Sequence, residues 1–207
     1  MTGMLRDDIF DGSDPNIGVT ARTGTTKARI ERAALELFAR HGVDGVSIKQ
    51  IAEACTISDG AMYRHFRSKD ALARLMFEAI HKKLLDMVAS HLKPDASLEQ
   101  IATALVTAYC TLADQDPAQF TYHLTHRNAF ISASGDGGAD PSDLMTDCIA
   151  QAMQRGDIPN GDPELRSAMA LGVVMQAAEY SLYGRIARPL SAHIAEFTRA
   201  IMAVLRS

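Results

Sequence analysis

The stretch from residue 47 to residue 70 constrains the fold of this chain more than any other part of its sequence. Ser47, with Gln50 three residues later, has the pattern of a capping box at the start of a short helix. Thr56 falls in a tight turn, and Ser58 can cap a second short helix. Two short helices joined by such a turn form a helix-turn-helix, whose second helix can enter the major groove of DNA.

The apolar residues of the second short helix predict which side of it faces a core. Met62 and Phe66 lie four residues apart and therefore on one helix face. Tyr63, Arg64 and His65 fall on the other faces. This division predicts a small helical head in which one side of the helix packs and the other side meets a partner.

The same stretch resembles the DNA-binding domain of the TetR family of bacterial transcriptional repressors. With the helix before it, the resemblance covers about residues 25 to 75, and the remainder is similar only as an all-helical chain of suitable length. The family usually has Gly where this chain has Thr56, and a β-branched residue is costly at positive φ. The residues that carry the resemblance are Ile51, Ala52, Ser58, Gly60, Met62, Tyr63, His65, Phe66, Ser68, Lys69, Asp70 and Leu72.

The resemblance implies a set of DNA contacts on the first two helices of the motif. Arg64 is the best candidate for reading a base, because a guanidinium can bind guanine in a bidentate manner. Gly60 permits close approach of the backbone to DNA. The full set of DNA-contacting residues expected from the resemblance is Ser47, Lys49, Ser58, Asp59, Gly60, Ala61, Tyr63, Arg64, His65 and Lys69.

The distribution of charge agrees with this assignment. The chain has a net charge of −4, yet residues 20–70 carry nine basic and six acidic side chains, a net charge of +3. Residues 1–19 contribute −3 and residues 71–207 contribute −4. Positive charge therefore coincides with the motif, as contact with phosphates requires.

Helical periodicity and helix-start signals extend over the rest of the chain, and no segment alternates as a strand does. Asp-Pro pairs at 116–117, 140–141 and 162–163 each place a capping Asp before a Pro at the first helical position. We therefore predict an all-α fold, with a three-helix head joined by one long helix to a C-terminal body. Two short helices are expected after the caps Ser47 and Ser58, and a further helix is expected to start at Ser97. The other helices are expected at about 25–41, 68–91, 117–131, 141–155, 163–187 and 191–206.

Three segments follow from this pattern. Residues 1–24 are polar and aperiodic, and we predict a mostly disordered arm. Residues 25–68 form the DNA-binding domain, and residues 69–207 form the body. The stretch from Met169 to Ile186 is almost free of charge, so that helix is expected to be buried on more than one side.

The resemblance implies that the body forms a homodimer and holds a small effector molecule. A mix of aromatic, Met and polar-tipped side chains suits a largely apolar pocket. The pocket residues predicted from this mix are Tyr109, Phe120, His123, Phe130, Met145, Cys148, Met175 and Tyr180. The predicted dimer interface consists of Met169, Val173, Gln176, Tyr180, Ile194, Phe197, Ile201 and Leu205.

Several other functions are weighed against this one. His123 and His126 have metal-ligand spacing, but no acid or Cys lies at helical spacing with them, so no metal and no cofactor is predicted. Cys55, Cys110 and Cys148 are few and far apart, which predicts a reducing cytoplasm. A regulator gated by oxidation of Cys55 and a DNA-binding protein without a ligand remain alternatives. An enzyme is the least favoured class, since no catalytic constellation is found in the sequence.

Overall fold

The computed structural model of the chain describes residues 18–133 and 140–207, and within these ranges the fold is all-α, as predicted. No helix in these ranges is long and apolar enough to cross a membrane. A short 3-10 turn, Leu190–His193, precedes the last helix. The helices are α1 (Thr26–His41), α2 (Ile48–Ala54), α3 (Asp59–His65), α4 (Lys69–His91), α5 (Leu98–Gln115), α6 (Pro117–Ala133), α7 (Pro141–Arg155), α8 (Pro163–Leu182) and α9 (Ile194–Arg206).

The three Asp-Pro pairs start helices as predicted. An oxygen of Asp116 accepts a hydrogen bond from the backbone N–H of Gln119 at 3.1 Å. Asp140 and Asp162 each accept the backbone N–H two residues later, at 2.8 and 3.0 Å. Each carboxylate satisfies an N–H group that the first turn of a helix leaves without an intrahelical partner, which is why the helices begin there.

Helix α8 ends at Leu182, five residues before the predicted end. Gly184 has φ 67°, and the N–H of Arg185 donates to the carbonyl of Tyr180 at 2.9 Å. This is the Schellman arrangement that ends a helix when Gly adopts the left-handed conformation. The apolar pattern continued past this Gly, so periodicity alone placed the boundary too late.

The chain divides into two compact units, and the division cuts across the predicted boundary at residue 68. The first unit contains residues 18–82 and 116–133, and the second contains residues 83–115 and 140–207. The first therefore holds α1 to α3, most of α4 and all of α6. The sequence had grouped α6 with the C-terminal body, whereas in the structure α6 packs on α1.

An ion pair explains why α6 lies on α1. Arg32 of α1 is 2% exposed, and its guanidinium donates to Asp116 at 2.7 Å and to Glu36 at 2.8 Å. Burial opposes the charge on Arg32, but its hydrogen bonds to these two carboxylates and their negative charges outweigh this effect and raise the pKa of the guanidinium. Tyr122 of α6 is fully buried and donates to the carbonyl of Ala73 at 2.8 Å, so α6 is tied to α4 as well.

The second unit has its own core. Val88, Ile101 and Leu105 form a buried cluster, against which Met145 and Cys148 pack. Helix α9 lies on α5 and α8. The backbone N–H groups of residues 190 and 191 both donate to the carboxylate of Asp114, at 2.8 and 2.9 Å, which fixes the chain where it enters α9.

Candidate nucleic-acid interface

Helices α2 and α3 are both capped and follow each other across a short turn, as a helix-turn-helix requires. Ser47 accepts the N–H of Gln50 at 3.2 Å, and the Gln50 side chain accepts the N–H of Ser47 at 2.8 Å, which completes the predicted capping box. Ser58 caps α3 by accepting the N–H of Ala61 at 3.3 Å. Local sequence thus sets the start of both helices.

Thr56 occupies the turn between α2 and α3 in the left-handed conformation, with φ 56°. The N–H of Ile57 donates to the carbonyl of Ala52 at 3.0 Å, the bond that closes a helix end of this type. The turn therefore keeps the geometry for which the resembling family uses Gly. Thr56 thus adopts a positive φ that is unfavourable for a β-branched residue, and the turn does not change its geometry to avoid it.

Replacing Thr56 by Gly is expected to stabilise the protein by about 1 kcal/mol, because Gly adopts positive φ without a Cβ clash. The Thr56 side chain is exposed, so little packing is lost. Urea denaturation would measure the change. Thr56→Ala is the matched control: it also removes the hydroxyl and the methyl group but keeps the Cβ, and it should stay within about 0.5 kcal/mol of the parent protein. A Gly variant no more stable than the Ala variant would contradict the argument.

Helix α3 is divided into two sides. Met62 is fully buried and Phe66 is 7% exposed, so both anchor the helix in the head. On the other side, Tyr63 is 59% exposed, and Arg64 is exposed with it. An exposed aromatic ring beside an exposed guanidinium on a short helix is a surface available to a partner rather than part of the core.

The remaining residues predicted to contact DNA lie around this exposed side or at helix starts. Gly60 is exposed, and a Cβ built on it would meet no atom within 4 Å, so its backbone is open to approach. Lys49 forms an exposed ion pair with Glu53 at 3.8 Å, an interaction weak enough for a phosphate to replace. Lys69 is half-buried at the first position of α4. Exposed positions also include Ser47, Ser58, Asp59 and His65, and Ala61 is half-buried.

Two contacts from α1 hold the helix-turn-helix in place, and neither was predicted from the sequence. The Arg29 guanidinium donates to the carbonyl of Cys55 at 2.5 Å, at the end of α2. The ammonium of Lys27 lies 5.7 Å from the centre of the Phe66 ring, at the end of α3. Because each contact joins residues far apart in the chain, the only available signal was the run of cations at the start of α1.

Comparison with known proteins agrees with this geometry. The family model described as bacterial regulatory proteins, tetR family, matches residues 30–76. The HTH-type transcriptional regulator UidR of Escherichia coli (strain K12) is 47% identical over 47 residues, which are 23% of this chain and 24% of that protein. Residues 30–76 therefore match the DNA-binding part of the TetR family. The match with UidR is thus confined to about a quarter of each chain.

Solved structures extend the TetR-family likeness, as a likeness of fold, to almost the whole chain. The ketosteroid transcriptional regulator KstR2 of Mycobacterium tuberculosis has a TM-score of 0.76 at 15% identity, over 91% of this chain and 99% of that chain. The transcriptional regulator FadR from Bacillus subtilis, in complex with stearoyl-CoA, has a TM-score of 0.67 at 16% identity, over 83% and 95% of the two chains. These neighbours support the all-α architecture.

The predicted pocket residues fall in both compact units. In the first unit, His123 and Phe130 join Phe77 and His81 in a group of stacked rings, with the Phe77 ring 5.1 Å from that of His123 and 4.8 Å from that of Phe130. A nitrogen of His81 lies 3.2 Å from one of His123. We name this group the ring stack. Phe120 is buried in the same unit, while Tyr109, Met145, Cys148, Met175 and Tyr180 belong to the second.

The predicted dimer residues divide into exposed and buried sets. On α8, Met169 and Tyr180 are 45% and 37% exposed, Gln176 is exposed and Val173 is half-buried. On α9, however, the apolar side faces inward, so Ile194 is half-buried and three other predicted interface residues are inside the chain. These buried residues are Phe197, Ile201 and Leu205.

Burial disfavours the thiolate form of all three cysteines. Burial raises the pKa of the Cys55 and Cys148 thiols and raises that of Cys110 to about 11. A thiol with a raised pKa holds less of the reactive thiolate at neutral pH. Burial also lowers the pKa of His126, and within the part of the chain that the structure describes no group of three or more His, Cys, Asp or Glu could hold a metal ion.

Proposed function

We propose that this chain is a homodimeric TetR-family repressor of transcription that binds a near-palindromic DNA operator and is released by a small, mainly apolar ligand. The observation that carries the proposal is the division of α3, with Met62 and Phe66 inside the head and Tyr63 and Arg64 exposed. In this proposal residues 25–68 bind DNA, and residues 69–207 hold the ligand and form the dimer.

The exposed side of α3 suits the major groove. The Arg64 guanidinium can donate two parallel hydrogen bonds to guanine, and Gly60 lets the helix approach the base edges. Ser47 and Lys69 lie at or next to helix starts, where backbone N–H groups and the helix dipole favour phosphate. Base reading and phosphate contact thus come from one small surface.

The test of DNA binding begins with selection of double-stranded sequences from a random pool by the purified protein. We expect enrichment of a near-palindromic sequence with half-sites about one helical turn apart, ~34–36 Å. Fluorescence anisotropy should then show binding that weakens steeply as salt rises. Recovery of no common sequence after selection would refute a specific operator.

A surface on α8 supports the dimer. Leu165, Met169 and Tyr180 of α8 and Tyr183 at its end are all more than a third exposed, and their spacings of four, eleven and three residues correspond to about one, three and one helical turns. Monomeric proteins rarely leave a contiguous apolar surface of this kind uncovered. The interface we propose is therefore the exposed side of α8, with Phe197, Ile201 and Leu205 of α9 supporting it from inside the chain.

Met169→Glu is expected to convert the dimer to a monomer at micromolar concentration, because it places a charge in the middle of this apolar side. Light scattering would measure the mass. The matched control is Leu75→Glu, which puts the same charge on an exposed Leu of α4 in the other unit. The control should remain dimeric, and a dimeric Met169→Glu variant would rule out the α8 interface.

The ring stack supports an apolar ligand. Its flat faces suit an apolar body, and the nitrogens of His81 and His123 can orient a polar atom. Phe77 and His81 lie on α4, the helix that directly follows α3, so a change in the stack acts on a helix that leads to the DNA-binding surface. The ligand named for FadR from Bacillus subtilis, stearoyl-CoA, makes acyl compounds a reasonable first choice of probe.

A thermal-shift screen of apolar acyl and aromatic compounds would test the ligand. A true effector should raise the melting temperature and weaken operator binding by a coupling of about 1–3 kcal/mol. His123→Phe keeps the stacked ring but removes its nitrogens, so it should weaken compounds with a polar group most. Compounds that bind without changing operator affinity would favour a DNA-binding protein that has no effector.

A further inference from the structure

A buried carboxylate holds the segment that leads into α1. Glu31 has no exposed surface. It accepts the backbone N–H of Thr20 at 2.7 Å and that of Ala21 at 2.9 Å, and the Thr20 hydroxyl also donates to it. The predicted arm, residues 1–24, is thus packed at its described end, residues 18–24, and residues 1–17 lie outside the description. We name residues 18–25 the lead-in segment.

The lead-in segment is fixed on both sides of Arg22. Before it, Val19 is only 6% exposed, and a Cβ on Gly18 would lie 2.8 Å from that of Ala28, so the segment packs closely on α1. After it, the Thr25 N–H and hydroxyl both donate to the carbonyl of Arg22, at 3.3 and 2.9 Å. The Arg22 backbone is therefore held in place while its side chain is exposed.

The charge of this region matches a polyanion. Residues 18–31 contain three basic residues, Arg22, Lys27 and Arg29, and one acid, the buried Glu31, which lies 3.8 Å from the Lys27 ammonium. The contacts of Lys27 with Phe66 and of Arg29 with the Cys55 carbonyl join the start of α1 to the ends of α3 and α2. Arg22 is thus a cation fixed to the same rigid head that presents Arg64.

We propose that Glu31 is a positioning residue that holds Arg22 against the phosphate backbone of the operator, beyond the contacts of α3. This inference rests on the proposed DNA-binding function. Ordering a free segment on DNA costs conformational entropy at every residue that becomes fixed. A lead-in segment that is already ordered before DNA binds avoids this cost. Glu31 keeps the segment ordered by accepting its N–H groups, and an apolar residue at position 31 could not accept them.

The test measures how operator affinity depends on salt concentration. Arg22→Ala should make the salt slope shallower by about 1 for each half-site, because one phosphate contact is lost there. Glu31→Leu removes the acceptors that hold the segment and should cause the same loss. The salt slope of the Arg22→Ala/Glu31→Leu double variant should be no shallower than that of either single variant. Lys93→Ala removes an exposed cation of the second unit and should leave the slope unchanged.

A second variant keeps the test valid if Glu31→Leu fails to fold. Ala21→Pro lies outside α1 and removes one of the three hydrogen bonds that Glu31 accepts from the segment, so it should reduce the effect of Arg22→Ala. Circular dichroism melting identifies the variants that fold. If Ala21→Pro folds and Arg22→Ala changes the slope in it by as much as in the parent protein, Glu31 does not position Arg22.

The remaining outcomes separate this inference from the proposed function. An unchanged slope for Arg22→Ala, together with loss of specific binding for Arg64→Ala, would overturn the inference and leave the proposed function intact. Unchanged binding for both variants would overturn the proposed function itself.

Discussion

Arg64→Ala is expected to lower affinity for the selected operator by about 1–3 kcal/mol at each half-site and to relax specificity at one base pair. The Arg64 side chain is exposed on α3, opposite Met62 and Phe66, which bury the other side of the helix. Ala has no group that can replace the two hydrogen bonds from Arg64 to guanine, so the acceptors on the base edge lose their donors. Because the proposed homodimer carries two copies of Arg64, the loss should recur at the second half-site.

Anisotropy titrations with the selected operator and with variants at each base pair would measure this effect. Lys69→Ala is the informative comparison, since a phosphate contact is insensitive to sequence. It should weaken all DNA sequences by similar amounts and make the salt slope shallower. If Arg64→Ala instead weakened every sequence equally, Arg64 would be a phosphate contact and the reading of bases would belong to another residue of α3.

Asp116→Ala should lower the free energy of unfolding by about 3 kcal/mol, the largest stability change expected among these variants. Arg32 is 2% exposed and donates to this carboxylate at 2.7 Å, so the substitution removes one of the two carboxylates, Asp116 and Glu36, to which the buried guanidinium donates. It also removes the cap of α6, which is worth about 1 kcal/mol by itself.

Asp162→Ala separates the two contributions. Asp162 has the same Asp-Pro pattern and caps α8 by accepting the backbone N–H groups of Glu164 and Leu165, but its side chain is exposed. The control should therefore cost only about 1 kcal/mol. Urea denaturation of both variants measures the difference, and equal losses would show that the Arg32–Asp116 pair contributes little.

The helix starts of this protein were predictable because the signals that set them are local. Ser47 and Ser58 bond to N–H groups three residues away, and Asp140 and Asp162 do so two residues away. The inward positions Met62 and Phe66 were predictable for the same reason, since helical spacing places them on one side whatever lies opposite. The same local pattern carried the resemblance to the TetR family.

The role of charged residues within α1 was not predictable in this way. Glu31 and Arg32 look like solvent-facing residues in the sequence, yet Glu31 is fully buried and Arg32 almost so. Their partners, Thr20 and Asp116, lie 11 and 84 residues away in the chain. Periodicity reports which side of a helix is apolar, but it carries no information about a carboxylate that a distant segment brings to the opposite side.

The amino-acid sequence by itself determined the all-α class, the order of the helices and the motif with Arg64 on its second helix. These features depend on interactions within about one helical turn, which hold in any surroundings. Only the tertiary structure decided that α6 packs on α1, that Phe197, Ile201 and Leu205 are inside the chain, and that α8 carries the exposed apolar surface. Each of these depends on which helix lies against which, and the free energy of that choice is spread over contacts between residues distant in the chain.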